Sequence, residues 1–205
     1  MSEKICADHK HDVRRRRRLL ACLFALVIAT VLVGILVFAI LRPSKPVFTL
    51  EDATVFRLNI SAAPNAISAA VQVTVSARNP NGKAGIYYES LHMYANYQSQ
   101  QVTYVAAIPP AYQGPQGVDV WSPLVYGDSV PIAPYNGLAL ARDVAGGSVQ
   151  LDVRINGRIR WRIGPVITGR VHLHVACPAV IPVGREVVVG GTVKYQLSQS
   201  CSVSV

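Results

Sequence analysis

Four arginines, Arg154, Arg158, Arg160 and Arg162, hold even positions in a stretch whose odd positions carry Val149, Leu151, Val153, Ile155, Ile159, Trp161 and Ile163. Guanidinium groups offer planar forks of donors that suit carboxylates and phosphates, so a row of them could take acidic wall polysaccharide or anionic lipid headgroups. An ordinary solvated sheet face has the same composition and is the simpler reading. His172 and His174, two apart, would share a face of a strand and could begin a metal site. Such sites need three or four converging ligands, and His92 is the only other histidine after residue 41. Solvated or hydrogen-bonded histidines are therefore expected, with no metal and no other cofactor. Tyr87, Tyr88, Tyr94 and Tyr97 could form an aromatic contact surface or pack inside, the commoner use. The chain has no Gly-x-Ser-x-Gly elbow, His-Glu-x-x-His pair, P-loop or dinucleotide glycine fingerprint. The expected chemistry is binding, and an enzyme is not expected.

The element that positions the arginines follows from parity. Asn156-Gly157 looks like a two-residue hairpin turn, but that hairpin would pair Ile155 with Arg158 and Val153 with Arg160, turning cations onto the buried face. One long strand from about Val149 to Ile163, bent or bulged at Gly157, keeps the apolar set on one side. Ala69 to Ala77 alternates in the same way and stops at Asn79-Pro80-Asn81-Gly82. Thr54 to Ile60, Tyr87 to Tyr97, Gln101 to Ala107, Val130 to Ile132, Gly169 to Val175 and Val193 to Leu197 are further strand candidates, and Pro109 to Gly117 reads as a loop. Regularly spaced short strands without alternating helices predict a mainly β domain, an antiparallel sandwich of roughly seven or eight strands.

The 205 residues are 51% hydrophobic and 15% charged, with mean hydropathy +0.30 and a net charge of +9. That composition excludes a disordered chain and the length fits one ordinary domain. The apolar residues concentrate in Leu19 to Leu41, 23 residues without a charge. As a helix this is ~35 Å long, enough to cross a ~30 Å hydrocarbon core. A cleaved secretory signal, with Val37-Phe38-Ala39 as a weak cleavage site, is the competing reading, but signal cores run ~7–15 residues. Lys4, Lys10, Arg14, Arg15, Arg16, Arg17 and Arg18 precede the stretch, so the positive-inside rule keeps the N-terminus cytosolic. The arginine run also suits anionic lipid; it resembles a nuclear-import patch, but the adjacent span explains it and no nucleic-acid partner is expected. The predicted organisation is a cytosolic tail at 1–18, a single transmembrane helix at 19–41, a proline-containing linker at 42–46 and an exterior domain at 47–205. Cys6 and Cys22 would lie on or near the cytosolic side, as acylation sites or bystanders.

The exterior segment carries 13 basic and 8 acidic residues. Its two cysteines, Cys177 and Cys201, are the available disulfide pair in an oxidising compartment, with buried free thiols as the alternative. Asn59-Ile60-Ser61 is the one glycosylation sequon.

Leu41-Arg42-Pro43-Ser44-Lys45-Pro46, Arg78-Asn79-Pro80-Asn81, Gly85-Ile86-Tyr87-Tyr88, Trp121-Ser122-Pro123 and the late cysteines closely resemble one plant group, from the anchor onward. It is the harpin-induced-like, non-race-specific-disease-resistance-like proteins of the late-embryogenesis-abundant group-2 superfamily, with Asn79, Pro80, Asn81, Ile86, Tyr87 and Tyr88 as the most specific part. The resemblance implies a fibronectin-III-like sandwich on one membrane anchor, plasma-membrane residence, defence or stress association and no catalytic residues. Asn81-Gly82 is followed by Lys83, so the Asn-Gly-Asp tripeptide of one relative is missing. The function expected is that of a noncatalytic plasma-membrane protein in plant defence signalling, its exterior sandwich a binding module. The rival is a structural stress protein supporting membrane integrity or membrane-wall attachment. A tail of 18 residues holds no folded signalling domain, so signalling needs other membrane or defence proteins, or self-association into a homo-oligomer.

Overall fold

A computed structural model describes residues 2–41, 43–62, 65–183 and 193–205, with side chains left undescribed at 2–15, 36–41, 60–62 and 193. The side chains of Cys6, Arg14 and Arg15, and Arg42 altogether, lie outside the described ones. Contacts divide the chain into two units, Met1–Arg42 and Pro43–Val205.

The first unit is one helix, α1 (Ser2–Leu41). Residues Arg16–Ile35 satisfy the length and composition needed to cross a membrane, a test that a signal sequence also meets. Thr30 returns its hydroxyl to the Val27 carbonyl at 2.8 Å, so the hydroxyl of this stretch is satisfied within the helix.

The second unit is a β-sandwich. Its first sheet places β1 (Val47–Ala62) between β12 (Val193–Ser200) and β2 (Asn65–Arg78), and β2 also pairs with β7 (Val118–Trp121) and β8 (Leu124–Pro131). The second sheet runs β13 (Ser202–Ser204), β11 (Val171–Pro182), β9 (Ser148–Ile163) and β3 (Ala84–Tyr97). β3 is edged by the short β4 (Gln100–Gln101), β5 (Ala106–Ile108) and β6 (Ala111–Gln113), and β10 (Val166–Ile167) folds back on β9. Every pairing is antiparallel. The strands outnumber the seven or eight expected because the outer edges of both sheets are broken into short pieces, three along β3 and two along β2.

Alternation supplies the core. Val71, Val73 and Val75 of β2 face inward against Ile155, Ile159, Leu173 and Val175 of the other sheet. Phe48, Tyr88 and Trp121 close the interior near one end, Tyr88 lying edge-on to both other rings at 6.3 and 5.3 Å.

β9 is the predicted uninterrupted strand: Ile155 pairs with Met93 and Val175, not with Arg158. The expected bulge at Gly157 is corrected. The register shift falls on the neighbouring strand, between Tyr88 and Ser90, and leaves Glu89 as the extra residue of β3. Gly157 stays in register because a Cβ there would collide with the Ser90 carbonyl and Leu91. The bulge also reverses the inward parity of β3, from Ile86 and Tyr88 to Leu91, Met93, Ala95 and Tyr97. Further expectations are revised. β1, β2, β3 and β12 extend beyond their candidate ranges, β8 and β11 are shifted from theirs, the Gln101 to Ala107 candidate is interrupted at 102–105 between β4 and β5, Pro109 to Gly117 contains β6, and a helix, α2 (Pro134–Ala145), starts at a proline and buries Leu140.

Candidate functional site

The arginine row stands on the outer face of the second sheet, opposite the core, because β9 keeps its parity through Gly157. The bulge aims Glu89 outward, where its carboxylate takes Arg160 at 2.5 Å and Arg170 at 2.7 Å. Arg154 lies 3.7 Å from Asp152 on its own strand. Arg162 donates to the Gly164 carbonyl at 3.2 Å and the Tyr87 hydroxyl at 3.3 Å, with its guanidinium carbon 5.9 Å from the centre of the Tyr112 ring. Arg158, between Ser90 and His172 in the ladder, is exposed and makes no ion pair among the described residues.

Beside Arg158 the face is polar. Asn156 donates to the Tyr94 hydroxyl at 2.9 Å, and its carbonyl oxygen lies 2.9 Å from Nδ1 of His174. Tyr94, Asn96, Arg154, Asn156, His174 and the serines of β13 line an open depression of about 410 Å³. His172 and His174 have nearly parallel rings 6.3 Å apart, and no three possible metal ligands converge among the described residues. The site can therefore offer a cation, amide and hydroxyl donors, and ring faces, a set suited to an acidic or polyhydroxylated ligand.

The tyrosines divide. Tyr87 and Tyr94 face outward, whereas Tyr88 and Tyr97 are each 1% exposed and pack in the core, so each of the two alternatives holds for one pair. Tyr88 donates to Gln113 at 3.0 Å, and burial together with the negative charge of Asp119 raises its phenol. Tyr97 donates to Asp143 at 2.7 Å, and burial followed by that bond pushes its phenol up to about 12. Asp119 is itself raised by burial, and its Oδ2 is inaccessible with no hydrogen-bond partner.

Asn79 and Asn81 do something else. Asn79 is fully buried and uses its whole carboxamide: Nδ2 donates to the Ala84 carbonyl at 2.7 Å and the Gly114 carbonyl at 3.0 Å, while Oδ1 accepts the backbone and side-chain N–H groups of Asn81 at 3.0 and 2.8 Å. Asn81 then binds Ser44 through both backbone groups, accepting its N–H at 2.7 Å and donating to its carbonyl at 2.8 Å. Lys45 adds a bond to the Val203 carbonyl at 2.8 Å. Pro80 restricts the turn between the two asparagines. The pair forms a clasp on the segment that enters the sandwich.

Cys177 and Cys201 are disulfide-bonded. Cys201 sits where the chain leaves β12 in one sheet for β13 in the other, and Cys177 is buried in β11, so the bond fastens that crossing. Asn59 is exposed on β1, opposite Ser68, and Cys22 is a free, exposed thiol within α1. Arg16, Arg17 and Arg18 are exposed. Sequence reasoning missed Glu89, Gln113 and Asp143, and the grip of Asn81 on Ser44, because the partners are distant in the chain and leave no local signal.

Residues 74–177 match the family described as late embryogenesis abundant protein. The chain is 50% identical to NDR1/HIN1-like protein 1 of Arabidopsis thaliana, covering 98% of this chain and all of the relative. It is 46% identical to NDR1/HIN1-like protein 12 over the whole of both, and 33% identical to NDR1/HIN1-like protein 26 over 76% of this chain and 73% of the relative, both also from Arabidopsis thaliana.

Proposed function

Since the chain belongs to the late embryogenesis abundant family, among its NDR1/HIN1-like members, we propose that it is a noncatalytic, single-pass plasma-membrane protein of plant defence whose sandwich binds ligands outside the cytosol. The sidedness rests on the charge distribution: the arginine run at 14–18 precedes the apolar stretch, and basic flanks stay cytosolic. The observation that carries the binding role is Arg158, an exposed cation at the middle of the outer sheet face, with the polar depression alongside and no carboxylate paired to it among the described residues. Its ligand is an acidic polysaccharide of the wall, held by salt-sensitive, charge-assisted contacts. Defence signalling then passes through other membrane or defence proteins.

The test uses the full chain in nanodiscs titrated with polygalacturonate. Binding is expected to weaken with salt and to be lost in Arg158→Glu, Arg160→Glu; binding unchanged by both overturns the reading. Sidedness is tested in sealed protoplasts, where added protease is expected to digest the C-terminal portion without permeabilisation. Protection of that portion until the membrane is opened would contradict the topology.

A further inference from the structure

At the end of the sandwich where the chain enters, three cross-strand neighbours on the outer face of the first sheet are Val47, Arg78 and Val118, all exposed, with Val118 57% so. The β2–β3 turn that starts at Arg78 carries exposed Lys83 and joins Ala84, which pairs with Ile163 at the end of β9. There β9 turns through Gly164 and Pro165 into β10, leaving Val166 61% and Ile167 46% exposed beside exposed Arg162. One rim thus combines four exposed aliphatic side chains with three cations.

Among the described residues the carboxylates are engaged or lie elsewhere: Glu51 accepts the Ser76 hydroxyl at 2.6 Å and Asp52 pairs with Lys194 at 3.2 Å. Asp119 neighbours Val118 but aligns with buried Ala77, and its Oδ2 is inaccessible. Glu89 is held by Arg160 and Arg170. Asp128, bonded by Ser68, Asp143 on α2 and Asp152, opposite Asn96, all lie toward the far end. Aliphatic side chains ringed by basic ones are the composition that settles into the headgroup layer, where the apolar groups leave water and the cations meet phosphates.

The covalent chain supplies the occupant. Ser44, gripped by Asn81, follows Leu41, the last helical residue, by three positions, a reach of ~10 Å at full extension. Resting on the single-pass reading above, we infer that this rim, with Val166 and Ile167 as its apolar contact and Arg78, Lys83 and Arg162 as its phosphate ligands, docks on the bilayer that its own helix crosses. The clasp is what makes the docking specific, because it fixes which end of the sandwich meets the membrane.

Full-length Val166→Trp, Tyr135→Trp and Leu26→Trp variants test this in vesicles of phosphatidylcholine and phosphatidylglycerol containing dibrominated phosphatidylcholine, with the parent fluorescence of Trp121 and Trp161 subtracted. Tyr135 is 71% exposed on α2 at the opposite end, and Leu26 lies within the span. The expected result is quenching at position 166 several-fold that at position 135, with position 26 also quenched. In the Val166→Trp background, adding Arg78→Glu, Lys83→Glu and Arg162→Glu removes the quenching at 166 while the far-ultraviolet dichroism is unchanged. Quenching at 166 no greater than at 135, with position 26 quenched, overturns the docking while leaving the anchor intact. An unquenched tryptophan at 26 overturns the anchor itself, and the docking with it.

Discussion

The asparagine clasp and the arginine row use polar side chains in opposite ways. Asn79 has no exposure and every donor and acceptor of its carboxamide is engaged by the protein. Arg158, in the middle of an equally regular strand, has no carboxylate on it among the described residues and faces water. A buried polar group must be satisfied internally, so its identity is fixed by the fold; an exposed one is left for a partner. The Asn79-Pro80-Asn81 motif is therefore structural at its centre, and the exposed arginines lie on a strand outside it.

The strongest way to break this contrast is Asn79→Ala. It removes the four hydrogen bonds of the carboxamide, to the Ala84 and Gly114 carbonyls and from the two N–H groups of Asn81, and is expected to cost about 4 kcal/mol, taking about 1 for each, measured by chemical denaturation. A loss no larger than that of a surface substitution would show that the clasp is dispensable. Reduction, or Cys177→Ser with Cys201→Ser, is expected to cost about 3.5 kcal/mol for a loop of this length in chain-entropy terms. The same measurement under oxidising and reducing conditions checks it.

Two pH experiments probe the closed side further. Asp119 is raised by burial, so its folded state favours the proton and its charge opposes folding at neutral pH. Asp119→Asn is expected to be more stable than the parent at pH 7, the difference closing as pH falls toward the ordinary aspartate value of about 4 and gone below it. Tyr97, pushed up to about 12, contributes stability that is complete below the ordinary tyrosine value of about 10 and lost as pH rises from there toward 12. Tyr97→Phe should therefore flatten the alkaline limb of a stability profile. The smallest effect belongs to the open side. Arg158→Glu is expected to change folding stability by about 0.5 kcal/mol or less, so that a loss of polygalacturonate binding by this variant reports the ligand and not the fold. A large destabilisation would place Arg158 with Asn79.

What was legible in the sequence follows from the same division. Parity alone placed Arg154, Arg158, Arg160 and Arg162 on one face and showed β9 to be one strand, because its alternation survives Gly157. It could not show that β3 carries the bulge, since unbroken alternation puts Tyr88 and Tyr97 on opposite faces, whereas the extra residue at Glu89 inverts the alternation and brings both into the core. α2 escaped because its 12 residues are short, begin at a proline and bury few side chains. Asn79-Pro80-Asn81 was visible as a strand stop, but its clasp was not, because Gly114 and Ser44 lie 35 residues after Asn79 and 37 before Asn81.

The clasp also has a mechanical meaning. Tension entering the chain at Pro43 meets Ser44 and its two bonds to Asn81, then runs along the axis of β1, whose ladder with β2 extends from Val47 to Ala62. Ladder bonds pulled along the strand share the force side by side, whereas the pair at Ser44 takes it alone. The entry segment is thus a mechanical fuse: force applied to the chain at Pro43 opens the Ser44 bonds first and lengthens the chain while both sheets stay shut.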